Sequence, residues 1–149
     1  MKNILFICTG NTCRSPMAEA ILSDTLDRME IRNITVSSAG IYALKGNRAS
    51  REAIEVLSRE GIDVSTHRAR QINEDMLKSS DLILTMTKGH KDMILMQYPD
   101  VAEKVYTLKE YAYGVEDDIV DPFGKGLPAY EEAFADIKNA LEVAINKLI

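Results

Sequence analysis

Short apolar runs of strand length alternate with amphipathic stretches of helix length down this chain, and that alternation restricts the fold more than any single motif does. The runs are ILFIC (4–8), NITVSSAG (33–40), DLILTM (81–86) and KVYTL (104–108). Between and after them, PMAEAILSDTLDRM (16–29), RASREAIEVLSREG (48–61), INEDMLKSS (72–80), TKGHKDMILMQYP (87–99) and LPAYEEAFADIKNALEVAINKLI (127–149) read as helices. Gly61 closes the second, Asn73 caps the third and Pro99 stops the fourth. Parallel strands need crossovers of this kind, so the pattern predicts an α/β fold with a parallel sheet between helices. At 149 residues and 46% hydrophobic composition, one domain over 1–149 is expected. No repeat, low-complexity tract or linker interrupts it. YAYGVEDDIVDPFGKG (111–126) lacks helical periodicity and is expected to be a functional loop.

Composition removes several classes of function. A net charge of −5 argues against nucleic acid as a partner, because tracking phosphates needs an excess of Lys and Arg. The apolar core of MKNILFICTGN is too short for a signal peptide, and no run approaches the ~18 apolar residues of a membrane span. A cytoplasmic protein with no membrane partner is expected. Cys8 and Cys13 are the only cysteines, and with His67 and His90 as the only histidines they cannot complete a four-ligand structural zinc site. In a reducing compartment such thiols are catalytic, regulatory or merely buried.

Both cysteines fall within CTGNTCRSP (8–16), directly after the first apolar run. The stretch reads as strand, tight loop, helix, with Ser15 in the N-cap position and Pro16 opening the helix. In open parallel sheets ligands bind beyond the carboxyl ends of strands, where Cys8 stands. A loop containing Gly10 and ending on a helix N-terminus gathers backbone N–H groups into an anion nest of phosphate size. Arg14 adds a planar fork able to hold two phosphate oxygens. Helix N-termini and nearby cations favour a thiolate over a thiol, which makes Cys8 the candidate nucleophile. A thiolate facing a phosphoryl group implies attack at phosphorus, a phosphocysteine and its hydrolysis by water. No metal or organic cofactor is needed for that chemistry.

CTGNTCRSP fits the pattern C-x5-R-S and resembles the low-molecular-weight protein tyrosine phosphatases. DPFG (121–124) looks like that family's general-acid motif, and SSAG (37–40), HRARQI (67–72) and DLILTM follow in the family's order. The resemblance spans essentially the whole chain and implies a doubly wound fold on a four-stranded parallel sheet. It makes Cys8 the nucleophile, Arg14 the clamp on phosphate and transition state, and Asp121 the acid that protonates the leaving group and then activates water. The phosphate-binding loop would comprise Thr9, Gly10, Asn11, Thr12, Cys13 and Ser15 beside them, with Ser15 donating to the Cys8 sulfur. Asn11, Ser38 and His67 would form the supporting network. Cys13 would be the redox partner, able to pair reversibly with Cys8. Pro122 fixes the backbone after Asp121, and repulsion from a phosphoryl dianion favours the protonated carboxyl that a general acid must bring. By residue type alone, Glu116, Asp117 and Asp118 are rival acids.

Thr12 bears on the substrate. Tyrosine-specific members of the family commonly carry an aliphatic residue there, whereas threonine resembles the bacterial protein arginine phosphatases, as do LKEY (108–111) and DPFG in place of DPYY. A hydroxyl suits a polar guanidinium better than a phenyl ring does, and Phe123 would wall the pocket. The expected substrates are proteins carrying phosphoarginine, with inorganic phosphate as product and ligand and the chain acting as a monomer. The alternative keeps the mechanism and takes phosphotyrosine or aryl phosphates. An arsenate reductase relay needs cysteines beyond Cys13, and a phosphocysteine carrier leaves Asp121 without a task.

The plainer readings stand beside these. Either cysteine could be a small buried hydrophobe, and His67 reads as structural. His90 in KGHK reads as a solvated helix residue, and Met86, Met93 and Met96 as core filler. Arg68 and Arg70 could line the rim of the site or simply be solvated.

Overall fold

The computed structural model describes residues 1–149. Its elements in chain order are β1 (Lys2–Cys8), α1 (Arg14–Arg28), β2 (Ile34–Gly40), α2 (Arg51–Ser58), α3 (Glu74–Ser79), β3 (Leu82–Thr85), α4 (Lys88–Gln97), β4 (Val105–Thr107), α5 (Leu108–Tyr113) and α6 (Leu127–Leu148). A 3-10 turn over Pro99–Lys104 joins α4 to β4. The four strands form one sheet in the order β2-β1-β3-β4, every pair parallel, as expected of the doubly wound fold.

Side chains alternate across the sheet and sort the core into two layers. Ile4, Phe6 and Cys8 of β1 pack with Leu82, Leu84 and Met86 toward α1, α5 and α6. Leu5 and Ile7 face the opposite way, with Ile83, Leu77 of α3 and Ile94 of α4. Strand β1 is therefore buried on both faces, which is why its sequence is an unbroken apolar run and not an alternating one.

The order of strands fixes the place of the site. From β1 the chain first winds to β2 on one side and later returns to β3 on the other, so β1 and β3 flank the point where winding reverses. Beyond the carboxyl ends of these two strands the outgoing loops diverge and leave a crevice. The segment after Cys8 opens into it from β1, and the start of α4 from β3.

Several boundaries differ from the sequence reading. Helix α1 begins at Arg14, with Cys13 as its N-cap and no side-chain cap bond, so Ser15 lies inside the first turn. Its hydroxyl is taken by other partners, described below. Residues 111–113 of the expected loop belong to α5, which opens on a capping box between Thr107 and Glu110 and ends at Gly114 in the left-handed region. Of the three methionines read as core, Met86 is buried, while Met96 is 85% exposed and Met93 lies at the surface. The solvent face of α4 carries those two.

Candidate active site

Cys8 ends β1 with its sulfur among core residues, and the chain then curls over the N-terminus of α1. The curl depends on Asn11, which takes φ +56°, a region the short polar Asn tolerates better than most residues. Asn11 is fully buried and its amide is fully used. Its Nδ2 donates to Ser15 Oγ and to Ser38 Oγ, each at 2.9 Å, while its Oδ1 accepts the Arg70 N–H at 2.9 Å. Ser38 Oγ in turn donates to Glu19 Oε1 at 2.6 Å. Since a carbonyl only accepts, the 2.8 Å contact between His67 Nε2 and Asn11 O makes Nε2 the protonated nitrogen of His67. Hydrogen bonds thus bring Asn11, Ser38 and His67 together, along with Glu19 and the Arg70 backbone. Arg70 also donates from Nε to Ser38 O at 3.2 Å.

This network orients the hydroxyl beside the nucleophile candidate. Ser15 Oγ accepts from Asn11, which leaves its own hydrogen for Cys8 Sγ, 2.8 Å away. Room for the loop comes from Gly40, where a Cβ would stand 2.5 Å from Thr9 O and 3.0 Å from Asn11 N. Backbone bonds from Tyr42 to Thr9 O at 2.9 Å and from Ser50 to Thr12 O at 2.8 Å hold the loop from the β2 side.

The remaining loop residues divide by environment. Thr9 is exposed and Gly10 and Thr12 are half-buried, at the mouth of the crevice. Cys13 is buried, with Tyr130 Oη at 3.1 Å and Thr12 Oγ1 and Ser50 Oγ each at 3.6 Å. Burial first, and the contact with Cys13 second, push the Tyr130 phenol up from its ordinary range. Both cysteines are free thiols.

Arg14 is 4% exposed and reaches across to the acidic segment after α5. Its Nη1 donates to Ile119 O at 2.8 Å, and its Nη2 lies 3.7 Å from Asp121 Oδ2. The fork thus bridges two pieces of chain more than a hundred residues apart. Ile119 is fully buried and its N–H bonds Met86 O at 2.8 Å, at the end of β3. Asp118 Oδ1 accepts the Lys88 N–H at 2.8 Å, and Glu116 pairs with Lys91 Nζ at 2.8 Å. These ties turn the rival acids Glu116 and Asp118 into anchors and leave Asp121, its side chain 53% exposed, facing Arg14 at the mouth. Asp117 pairs loosely with Lys109 at 3.9 Å. Phe123 is 69% exposed beside Asp121, whose Oδ1 accepts its N–H at 3.1 Å.

Three participants escape a reading by residue type. Ile119 contributes only its carbonyl, Glu19 sits on α1 without a motif, and His90, expected to be solvated, is 6% exposed. His90 Nε2 lies 2.8 Å from Thr9 Oγ1. Thr87, three residues earlier, was the available signal: a threonine N-cap there sets His90 in the first turn of α4, over the strand ends.

A strand-end thiol, a curled loop ending on a helix N-terminus, a buried arginine and an opposed carboxylate together define the layout of a cysteine-dependent phosphatase. Comparison with known proteins leads to the same class. Residues 3–148 match the model of the family described as low molecular weight phosphotyrosine protein phosphatase. A protein-arginine-phosphatase of Geobacillus stearothermophilus is 39% identical over 145 residues, covering 97% of this chain and 95% of that protein. The low molecular weight protein-tyrosine-phosphatase PtpB of Staphylococcus haemolyticus is 41% identical over 134 residues, covering 90% and 91%. Among solved structures, a YwlE arginine phosphatase variant with a phosphorylated active-site serine superposes with a TM-score of 0.94 at 37% identity, covering 98% of this chain and 95% of the other. The chain belongs to the low molecular weight phosphotyrosine protein phosphatase family.

Proposed function

We propose that residues 1–149 form one protein phosphatase domain that hydrolyses phosphoarginine on proteins through a phosphocysteine. The observation that carries the reading is the approach of Asp121 to within 3.7 Å of Arg14 at the mouth of the loop that holds Cys8, which joins clamp, acid and nucleophile in one crevice. Loop N–H groups and the Arg14 fork bind the phosphoryl oxygens. Cys8 sulfur then attacks phosphorus on the side away from the leaving nitrogen, forming S–P as P–N breaks. Asp121 gives its proton to that nitrogen, which keeps the electron pair of the P–N bond, so arginine departs as its guanidinium, freed of the phosphoryl group, and the carboxylate is left behind. Water attacks the phosphocysteine next, Asp121 takes a proton from it, and inorganic phosphate leaves with Cys8 restored as thiolate. Ser15 steadies the sulfur as leaving group in this second step.

Preference for phosphoarginine draws on Thr12 and on the arginine phosphatases among the relatives. The tyrosine phosphatases at similar identity favour the second reading, the same mechanism on phosphotyrosine. Phe123 and Thr12 are the specificity candidates in either case. Cys13 is the redox partner: peroxide takes Cys8 to the sulfenic acid, and Cys13 displaces water from it to give a disulfide.

The decisive measurement is kcat/KM on matched phosphoarginine and phosphotyrosine peptides. A preference of about 100-fold for phosphoarginine is expected, worth about 2.7 kcal/mol of transition-state discrimination, and reduced by Thr12→Ile. A phosphotyrosine preference sinks the substrate assignment. Activity retained in Cys8→Ser sinks the mechanism.

A further inference from the structure

His90 belongs to neither the clamp, the acid nor the nucleophile, yet it bonds the residue next to Cys8 and feels the charges of Arg14 and Asp121. It lies in the first turn of α4, where its backbone N–H donates to the Thr87 cap hydroxyl at 3.1 Å. Its Nε2 meets Thr9 Oγ1 at 2.8 Å, 81 residues away in sequence. Its Nδ1 is buried and has no hydrogen-bond partner. Burying a ring with one nitrogen unpaired carries a cost, so the arrangement calls for a compensating role.

The topology indicates that role. Thr9 is the first residue after β1, and α4 follows β3, so the Thr9–His90 bond crosses the crevice at the point where winding reverses. The other tie on Thr9, from Tyr42, comes from the β2 side, as do those on Asn11 through Ser38, His67 and Arg70, while Asn11 also bonds Ser15 of α1. Thr9, held otherwise by Tyr42 alone, is free to tilt toward β2. His90 supplies the opposing tie.

We propose that His90 is a positioning residue, holding Thr9 Oγ1 through Nε2 and so fixing the first turn of the phosphate-binding loop against the end of β3. The inference rests on the reading of residues 8–15 as a phosphate cradle. Its effect is to keep the N–H groups that follow Cys8 aimed at the phosphoryl oxygens.

Imidazole suits the task because it holds the loop without adding charge. In the doubly protonated ring both nitrogens carry hydrogen, and the one on Nδ1 has no acceptor. Burial, and then the Arg14 guanidinium approaching from α1, lower its proton affinity to a pKa of about 4, against the opposite pull of Asp118 and Asp121 on the acid loop. At neutral pH the ring is therefore neutral, and its contribution to the loop is a directional hydrogen bond.

The test is a double-mutant cycle on kcat/KM for para-nitrophenyl phosphate and on Kd for inorganic phosphate, at a temperature where every variant is folded. His90→Ala and Thr9→Val are each expected to lose about tenfold in both quantities, with the double variant losing no more than either alone. His90→Gln, whose amide can either donate to or accept from Thr9 Oγ1, is expected to recover most of the loss. Losses that multiply in the double variant, or no recovery by glutamine, overturn the inference. Should His90→Ala fail to fold, Thr9→Val decides alone: it is nearly isosteric and at the surface, and undiminished phosphate binding in it overturns the inference. Cys8→Ser separates the two levels, since an active Cys8→Ser defeats the phosphatase reading, whereas an inactive one beside multiplicative losses defeats only the role of His90.

Discussion

Asn11 concentrates at one position what the loop requires. Its left-handed backbone turns the chain, and its amide ties the loop to β2, to the Arg70 backbone and to the serine beside Cys8. The two demands can be separated by substitution. Asn11→Gly keeps the turn and loses the amide, whereas Asn11→Ala loses both, so alanine should be the less stable by about 1 kcal/mol. Thermal unfolding of the pair measures that difference. Activity should fall in both variants, because each frees Ser15 from the donor that aims its hydrogen at Cys8; equal activity to the parent would show that Ser15 needs no such aim. Of its partners only Ser15 is near in sequence, four residues on; the others lie 27 and 59 residues away, and the resemblance, not any local pattern, pointed to Ser38. The meeting of Cys8 and Arg14 at the start of α1 was legible because strand end, loop and helix start are adjacent in the chain. Gly40 illustrates the opposite case: its lack of a side chain is required by the passing loop backbone, a neighbour no local pattern reveals.

At the scale of elements, strands and long helices were readable from periodicity, and the errors fell where an element is short or tilted toward function. Helix α5 spans only Leu108–Tyr113, too few residues to set up a periodic stripe. Its capping box TLKE was nonetheless present, and the Gly114 stop with it. The helix matters because Lys91 Nζ of α4 reaches both Glu110 of α5, at 2.9 Å, and Glu116 of the acid loop, at 2.8 Å. One half-buried ammonium thus joins two helices to the segment that carries Asp121. The hydrogen bond from Lys91 holds Glu116 below its ordinary proton affinity. Lys91→Met should let the acid loop drift while leaving Cys8 untouched. A leaving group that needs a proton will register the drift and one that departs readily will not. The expected loss is about tenfold in kcat/KM on a phosphoarginine peptide, from the ~10²–10⁴-fold that general acid catalysis typically supplies. On para-nitrophenyl phosphate the loss should be small. Equal losses on both substrates would show that the tether serves the fold and not the acid.

Across the whole molecule, the sheet order decides which distant pieces meet, and it is the part least available to a reader of the sequence. Alternating strands and helices announce a parallel sheet, but that β3 lies beside β1, and so carries α4 and the acid loop to the Cys8 loop, follows only from the assembled fold. His90 was misread as solvated for that reason. Its burial has a consequence for stability that can be measured without any substrate. An unfolded histidine titrates near 6.5, whereas folding lowers His90 to about 4, chiefly through burial and then through Arg14. Between these values the unfolded chain binds the extra proton and the folded one does not, so stability must fall as pH drops through the window and be fully present above it. The linkage amounts to about 2 kcal/mol lost between pH 7 and pH 5. Carboxylate titrations contribute to the same curve, so the comparison is with His90→Asn, which retains them and lacks the imidazole. Urea unfolding at pH 7 and pH 5 should show the parent losing about 2 kcal/mol more than the variant over that interval. Parallel losses would mean that His90 is protonated at little cost in the folded protein, which its unpaired Nδ1 and the neighbouring arginine argue against.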